Sequence, residues 1–343
     1  MQDIKDLNFE ELILFLKEEG LPSFRASQIY SWIYKKGILD FTKMRNIPDR
    51  LKDILKERFF ISNGRLIDRR ISQDQTNKIL LELGDGSLIE AAAIPASKRL
   101  TACLSTQVGC KFSCIFCSSG AAGFKRNLTS AEILEQLLHL NIIYKPKSIT
   151  HIVFMGIGEP LDNYDNVFKA IRIINSKEAF SIGARRITIS TCGIVPAVKR
   201  MSDEKLQVEL SVSLHAADDR LRSELMPVNK KYPLGELLEA CKEYINKTGR
   251  QITFEYALLK GINSSLQNAK ELSKILKGLG PCKVNIILAN PGPRVMTGII
   301  TKEEAEAFRR VLLKNGTHST IRQSRGIDIE AACGQLKLRY ENK

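Results

Sequence analysis

Three thiols fall within eight residues of this chain, in the string Cys110-Lys-Phe-Ser-Cys114-Ile-Phe-Cys117. A loop of that kind can bring them to one metal centre. A structural zinc site would ask for a fourth ligand, commonly a second CxxC or a His pair, and none lies nearby. Three thiolates suit a four-iron cluster with one iron left open to an exogenous ligand, although the spacing alone also admits zinc. Further on, Met155-Gly-Ile-Gly158-Glu159-Pro160 joins glycines, which allow close backbone approach, to a carboxylate suited to an ammonium group. The same string also reads as a tight turn. Ser190-Thr-Cys192-Gly, Ser213-Leu214-His215 and Asn290-Pro place polar groups after apolar runs. His215 taken alone reads as a structural histidine.

The elements that must position these groups follow from periodicity. From residue 100 onward, strand-like and helix-like stretches alternate. Strands are expected at Leu100–Val108, Ser148–Gly156, Arg185–Ser190, Gln207–His215, Gln251–Leu259 and Lys283–Ala289. Helices are expected near Ser130–Ile143, Asn166–Asn175, Val195–Met201, Leu234–Lys247, Ser265–Leu279 and Lys302–Asn315. Six such repeats with apolar strands imply an α/β fold with a parallel sheet, open or curled into a partial barrel. Its active site belongs at the carboxyl ends of the strands, where each polar string above falls.

The first hundred residues read differently. Helices are expected at Phe9–Glu19 (capped by Asn8), Ala26–Lys36 and Pro48–Arg58. Strands follow at Arg65–Ile71, Ile79–Leu83 and Leu88–Ile94, the last two joined by the turn Gly84-Asp-Gly-Ser87. Trp32, on an apolar helix stripe, reads as core before it reads as a base-stacking platform. Charge divides at the same place: residues 1–100 carry 17 basic and 15 acidic side chains, and residues 101–343 carry 35 and 23. All eight cysteines lie in the second part. We therefore expect an accessory domain with linker strands over 1–95, whose near-neutral charge does not itself mark it as RNA-binding, and a basic, cysteine-bearing core over 96–343.

A net charge of +14 suggests a polyanionic partner without identifying one. Eight cysteines in a chain without a signal-like start (Met1–Leu16 lacks a basic stretch followed by an apolar one) suggest cytosolic metal or redox chemistry, with no structural disulfides. No apolar run reaches the ~18 residues of a membrane span.

The CxxxCxxC string after the first core strand, with Phe116 before its last cysteine, resembles the radical S-adenosylmethionine (AdoMet) superfamily. Longer strings narrow the resemblance to the RNA adenine-methylating RlmN/Cfr family. They are Ser105-Thr-Gln-Val-Gly-Cys110, Gly123-Phe-Lys-Arg-Asn-Leu128, Ser213-Leu-His-Ala216, Met226-Pro-Val-Asn229 and Gly326-Ile-Asp-Ile-Glu-Ala-Ala-Cys333-Gly-Gln335. The resemblance implies a partial six-repeat radical-AdoMet barrel. It also implies a 4Fe-4S cluster on Cys110, Cys114 and Cys117, with AdoMet on the open iron. Gly158, Glu159, Ser190, Ser213, Leu214, His215 and Asn290 match the AdoMet contacts.

The family implies two further cysteines with roles of their own. Cys333 matches the residue that a first AdoMet methylates and that then carries the methyl-derived carbon to adenine. Cys103 matches the residue that attacks Cys333 to release product, leaving a transient disulfide. Glu90 matches the proton acceptor. Cys192, Cys241 and Cys282 receive structural roles.

The resemblance implies 23S rRNA at the peptidyl transferase centre as substrate, together with the adenosine 3′ of the anticodon in tRNAs. A flavodoxin or ferredoxin would donate electrons to a monomeric, cytoplasmic enzyme. Lys111, Lys125, Arg126, Lys230, Lys231, Arg322 and Arg325 are candidate phosphate contacts. Glu159-Pro-Leu161 and Ser324-Arg-Gly326 look like the C2-methylating type, whereas Ile327 looks like the C8-methylating, Cfr type. The rival readings are C8 methylation, a non-catalytic zinc RNA-binding protein and a glycyl-radical-activating enzyme.

Overall fold

A computed structural model of the chain describes residues 1–121, 123–288, 298–322, 325–329, 336 and 340. At the N-terminus, β1 (Gln2–Asp3) pairs in parallel with β2 (Phe59–Phe60), and three helices lie between them. The first, α1 (Phe9–Glu18), begins at a reciprocal capping box of Asn8 and Glu11, as the sequence predicts. The second, α2 (Arg25–Tyr30), is shorter than expected because residues 31–35 widen into a π-turn; α3 (Asp49–Arg58) follows. Trp32 packs against the core and donates its indole N–H to Asn46 Oδ1 at 2.5 Å, in agreement with its core reading.

Four strands come next: β3 (Arg65–Ile71), β4 (Asn77–Glu82), β5 (Leu88–Ala96) and β6 (Arg99–Cys103). They run antiparallel to one another and join a single ten-stranded sheet. The expected strand Leu100–Val108 is broken after Cys103. Its remainder forms β7 (Gln107–Gly109), which leaves the sheet and pairs with β8 (Phe124–Asn127) across the helical turn α4 (Ser118–Ala121). The break puts the cysteine string on its own ribbon over the sheet's end.

The repeats then proceed through α5 (Ser130–Tyr144), β9 (His151–Phe154), α6 (Tyr164–Asn175), β10 (Ile187–Thr191), α7 (Val195–Met201), β11 (Glu209–Ser213), α8 (Asp219–Leu225) and α9 (Leu234–Thr248). They end with β12 (Ile252–Leu258), α10 (Leu266–Leu276), β13 (Cys282–Leu288), α11 (Lys302–Lys314) and β14 (Ser319–Arg322). Within the ten-stranded sheet, every pairing from β6 onward is parallel, in the order β6-β9-β10-β11-β12-β13-β14, whereas the separate β7–β8 ribbon is antiparallel. The seventh parallel strand, β14, and the short helix α8 were not expected. The polar Ser319-Thr320 start of β14 conceals it.

Side-chain alternation divides the sheet into two faces. Ile152, Phe154, Ile187, Ile189, Leu210, Val212, Phe254, Tyr256, Val284 and Ile286 are buried in one continuous core with apolar side chains of α5, α6, α9, α10 and α11. The opposite face is polar. Its registered rows include Ser190, Ser211 and Thr253, then Ser213, Glu255, Asn285 and Thr320. A sheet dry on both faces would show continuous apolar runs, so this alternation marks the inner side as the one that meets a ligand.

Candidate active site at the carboxyl ends of the parallel strands

The cysteine loop is shaped by backbone constraints. Gly109 lies at φ +81°, and a Cβ there would fall 1.8 Å from the Gly123 carbonyl oxygen, so only glycine lets β7 approach β8 so closely. Cys110 N–H donates to the same carbonyl at 2.8 Å, and Ile115 N–H reaches the carbonyl of Leu225 at the end of α8 at 3.0 Å. An apolar cluster of Leu221, Leu225, Met226, Val228 and Leu259 backs the loop, with Phe112, Cys114, Ile115 and Phe116 packed against it.

Burial pushes the Cys110 thiol up to about 12 and Cys114 higher still, with Cys110 adding to the rise at Cys114. Cys117 adds to both. Left to themselves these sulfurs stay protonated; a bound cation reverses that. Among the described residues, no three His, Cys, Asp or Glu side chains already form a grouping that could hold a metal ion. Three thiols on one short loop backed by apolar side chains nevertheless match the donor set of a cluster with one iron left open.

Glu159 is buried where β9 gives way to its loop. Its Oε1 accepts the Leu161 N–H at 3.0 Å, and its Oε2 accepts the Cys192 N–H at 2.7 Å. Burial raises its pKa, and these donors oppose the rise. The carboxylate therefore pins the end of β9 to the end of β10 while keeping lone pairs for a cation. Gly158, at φ +104°, serves packing: a Cβ there would meet Gln107 Cβ at 2.6 Å. Gln107 in turn accepts the Glu159 N–H at 2.9 Å and donates to Asp162 at 2.8 Å. Cys192, given only a structural role by sequence, is buried beside Glu159, Cys114 and Cys110.

Ser190, next to last in β10, and Ser213, the last residue of β11, lie on the polar face. Leu214 is a core side chain, and its N–H donates to the Glu255 carbonyl at 3.0 Å. His215, at φ +59°, accepts the Ala257 N–H at Nδ1 (2.9 Å) and meets the Phe116 ring edge-on at 4.7 Å. Its proton therefore sits on Nε2, and burial lowers its pKa to about 3. Beneath it lies Arg222, a residue that sequence reasoning missed. Its fully buried guanidinium donates to the carbonyls of Leu214 (3.2 Å), Cys192 (2.8 Å) and Ser213 (3.1 Å), and to Asn229 Oδ1 (2.7 Å). One cation thus ties β10, β11 and the Met226–Asn229 string together.

Glu90 and Cys103 meet on the antiparallel side of the same face. Ala92 stands directly opposite Cys103, so Glu90, two residues along β5, shares Cys103's face. Ser105 Oγ donates to the Glu90 carbonyl at 2.6 Å and accepts the Ile157 N–H at 2.9 Å, locking β5 to the loop after β9. Lys78 on β4 was also missed: its Nζ lies 2.8 Å from Glu90 Oε2, and both side chains are buried. Asn290 and Cys333 lie outside the described residues. The segment leading toward Cys333 is anchored, since Asp328 accepts from Ser72 Oγ and, at 3.0 Å, from the Gln73 N–H. Gly326 N–H donates to Asp74 at 3.1 Å.

Several candidate phosphate contacts are engaged internally. Lys111 pairs with Asp162 (2.6 Å), Lys125 with Asp85 (3.4 Å), and Arg126 with Asp85 (3.0 Å) and Glu132 (2.7 Å). Arg322 faces the polar interior, where it donates to Met155 Sδ at 3.5 Å and opposes the burial-raised Glu255.

Two family models match the chain. One is the radical SAM superfamily, over residues 104–288. The other is the ribosomal RNA large subunit methyltransferase N-terminal domain, over residues 2–61. A Thermoanaerobacter protein (strain X514) named "Probable dual-specificity RNA methyltransferase RlmN" is 45% identical over 99% of both chains. A Clostridium perfringens protein (strain SM101) of the same name is also 45% identical, over 99% of this chain and 98% of its own. The crystal structure of a radical SAM methyltransferase from Sphaerobacter thermophilus matches with a TM-score of 0.93 at 40% identity, covering 98% of this chain and 99% of that one. The chain belongs to the radical SAM superfamily and, within it, to the RlmN methyltransferase family.

Proposed function

We propose that this chain methylates C2 of an adenosine in 23S rRNA and of the adenosine 3′ of the anticodon in tRNAs. The reading is carried by the end-to-end match, at 45% identity, to proteins named dual-specificity RNA methyltransferases. Cys110, Cys114 and Cys117 would hold the 4Fe-4S cluster, and Glu159, Ser190, Ser213, the Leu214 backbone, His215, Gly158 and Asn290 would line the AdoMet site. When bound, cluster and AdoMet supply a one-electron route to a ring carbon too electron-poor to attack a sulfonium.

The chain's own residues do the rest. Glu159 offers buried carboxylate lone pairs to an ammonium group, and neutral His215 offers Nε2–H. Cys333 carries the carbon to be transferred, Cys103 attacks the Cys333 sulfur to free the product, and Glu90 takes the ring proton. The shared sheet face of Glu90 and Cys103 supports those two roles. The target adenosine must be unstacked to reach this face. Residues 1–95 act as the accessory RNA-gripping part of the molecule and 96–343 as the core. The enzyme works as a cytoplasmic monomer with a flavodoxin or ferredoxin as reductant; among the described residues no helix is long and apolar enough to cross a membrane.

Mass spectrometry of rRNA and tRNA from cells with and without the protein tests this reading. 2-Methyladenosine should vanish from both RNAs without it. Unchanged levels defeat the proposal, and 8-methyladenosine in its place selects the C8 reaction.

A further inference from the structure

Resting on the reading of Glu90 as proton acceptor, we infer that Lys78 is a positioning residue for the methyl transfer, its ammonium holding Glu90 in the charged form that can take a proton. Lys78 pairs with Ala92 across β4 and β5, and Ala92 pairs with Cys103 across β5 and β6. Lys78, Ala92 and Cys103 therefore form one row on the polar face, with Glu90 diagonal to it. The small Ala92 side chain leaves room for the lysine stem to cross toward Glu90, and Nζ comes within 2.8 Å of Oε2. Lys78 is 2% exposed and Glu90 4%.

Burial without a counter-charge drives a carboxylate toward its neutral form, because desolvation penalises an isolated charge. A protonated Glu90 carboxyl is far too weak a base to receive a ring proton. Two apolar side chains would hold β4 against β5 at least as well as a buried ion pair, so the pair is poorly explained as a stabilising device. Its place in the Cys103 row explains it better. Lys78 reaches the Glu90 carboxylate with its Nζ, and its part in the transfer runs through that carboxylate.

The experiment uses the full chain, anaerobically reconstituted, with a 23S rRNA fragment as substrate, in four variants. Lys78→Met should lower the methylation rate about 10²-fold or more, the size of a general-base contribution. Lys78→Arg, which keeps the charge, should stay within about tenfold of the native rate. Lys78→Met/Glu90→Gln should be no slower than Glu90→Gln alone, as residues acting as one unit behave.

Infrared spectra of the same proteins without RNA provide a readout that does not depend on turnover. Lys78→Met should show a protonated-carboxyl stretch that is absent from the native protein and from the double variant. Full activity in Glu90→Gln overturns the underlying reading of Glu90. An inactive Glu90→Gln beside a fully active Lys78→Met overturns only the inference about Lys78. So does a Lys78→Arg variant as slow as Lys78→Met, or a Lys78→Met spectrum without the new band.

Discussion

His215 accepts a backbone N–H at Nδ1 and is buried against the Phe116 ring, so its imidazole stays neutral far below the ordinary value of 6.5, down to about 3. An unfolded chain takes up that proton near pH 6.5, whereas the folded chain resists it. The contribution to stability is therefore complete above about pH 6.5 and is lost as pH falls toward 3, at ~1.4 kcal/mol per pH unit for one proton. Denaturant titrations across that range should show a slope in the native protein that is shallower by one proton in His215→Gln; equal slopes would show that the imidazole is not held neutral. Sequence spacing marked His215, Glu159 and the three cysteines because each sits in a short string at a strand end. Lys78 was illegible because Glu90 lies 12 residues away and strand register brings the two together, and Arg222 because its acceptors, 7 to 30 residues away, are backbone carbonyls and an amide that no local string marks.

At the scale of elements, the strand–helix rhythm was readable from alternation and caps. Asn8, Thr129, Ser265 and Thr301 each accept an N3 amide at the start of a helix. The break after Cys103 and the strand β14 were not readable, since both are decided by tertiary packing. The same applies to the clasp between the β3–β4 turn and residues 325–329, whose partners are separated by about 250 positions. That clasp holds the approach to Cys333. Asp328→Ala removes two acceptor contacts, and the effect is local rather than global. Amide exchange over 325–329 should quicken about tenfold and methylation should fall, while the melting temperature moves by less than about 2 °C. Unchanged exchange would show that Asp328 does not anchor the segment.

For the whole molecule, three of the candidate phosphate contacts, Lys111, Lys125 and Arg126, are bound to carboxylates that the net charge of +14 already counts against them. RNA affinity should therefore depend on salt through only a few phosphates. Raising salt from about 50 to about 200 mM should weaken binding by about tenfold to fiftyfold, as two or three neutralised phosphates give. A loss beyond about 10³-fold would mean that these internal pairs open on binding. The continuous ten-stranded ladder has a consequence for anyone dividing the gene. A cut near residue 95 would leave β6 and β5 as raw edges, each an unsatisfied row of amides and carbonyls ready to template aggregation. The helices before residue 62 make no pairing with that sheet, so a graft of a relative's N-terminus is best joined there, in the short segment between β2 and β3.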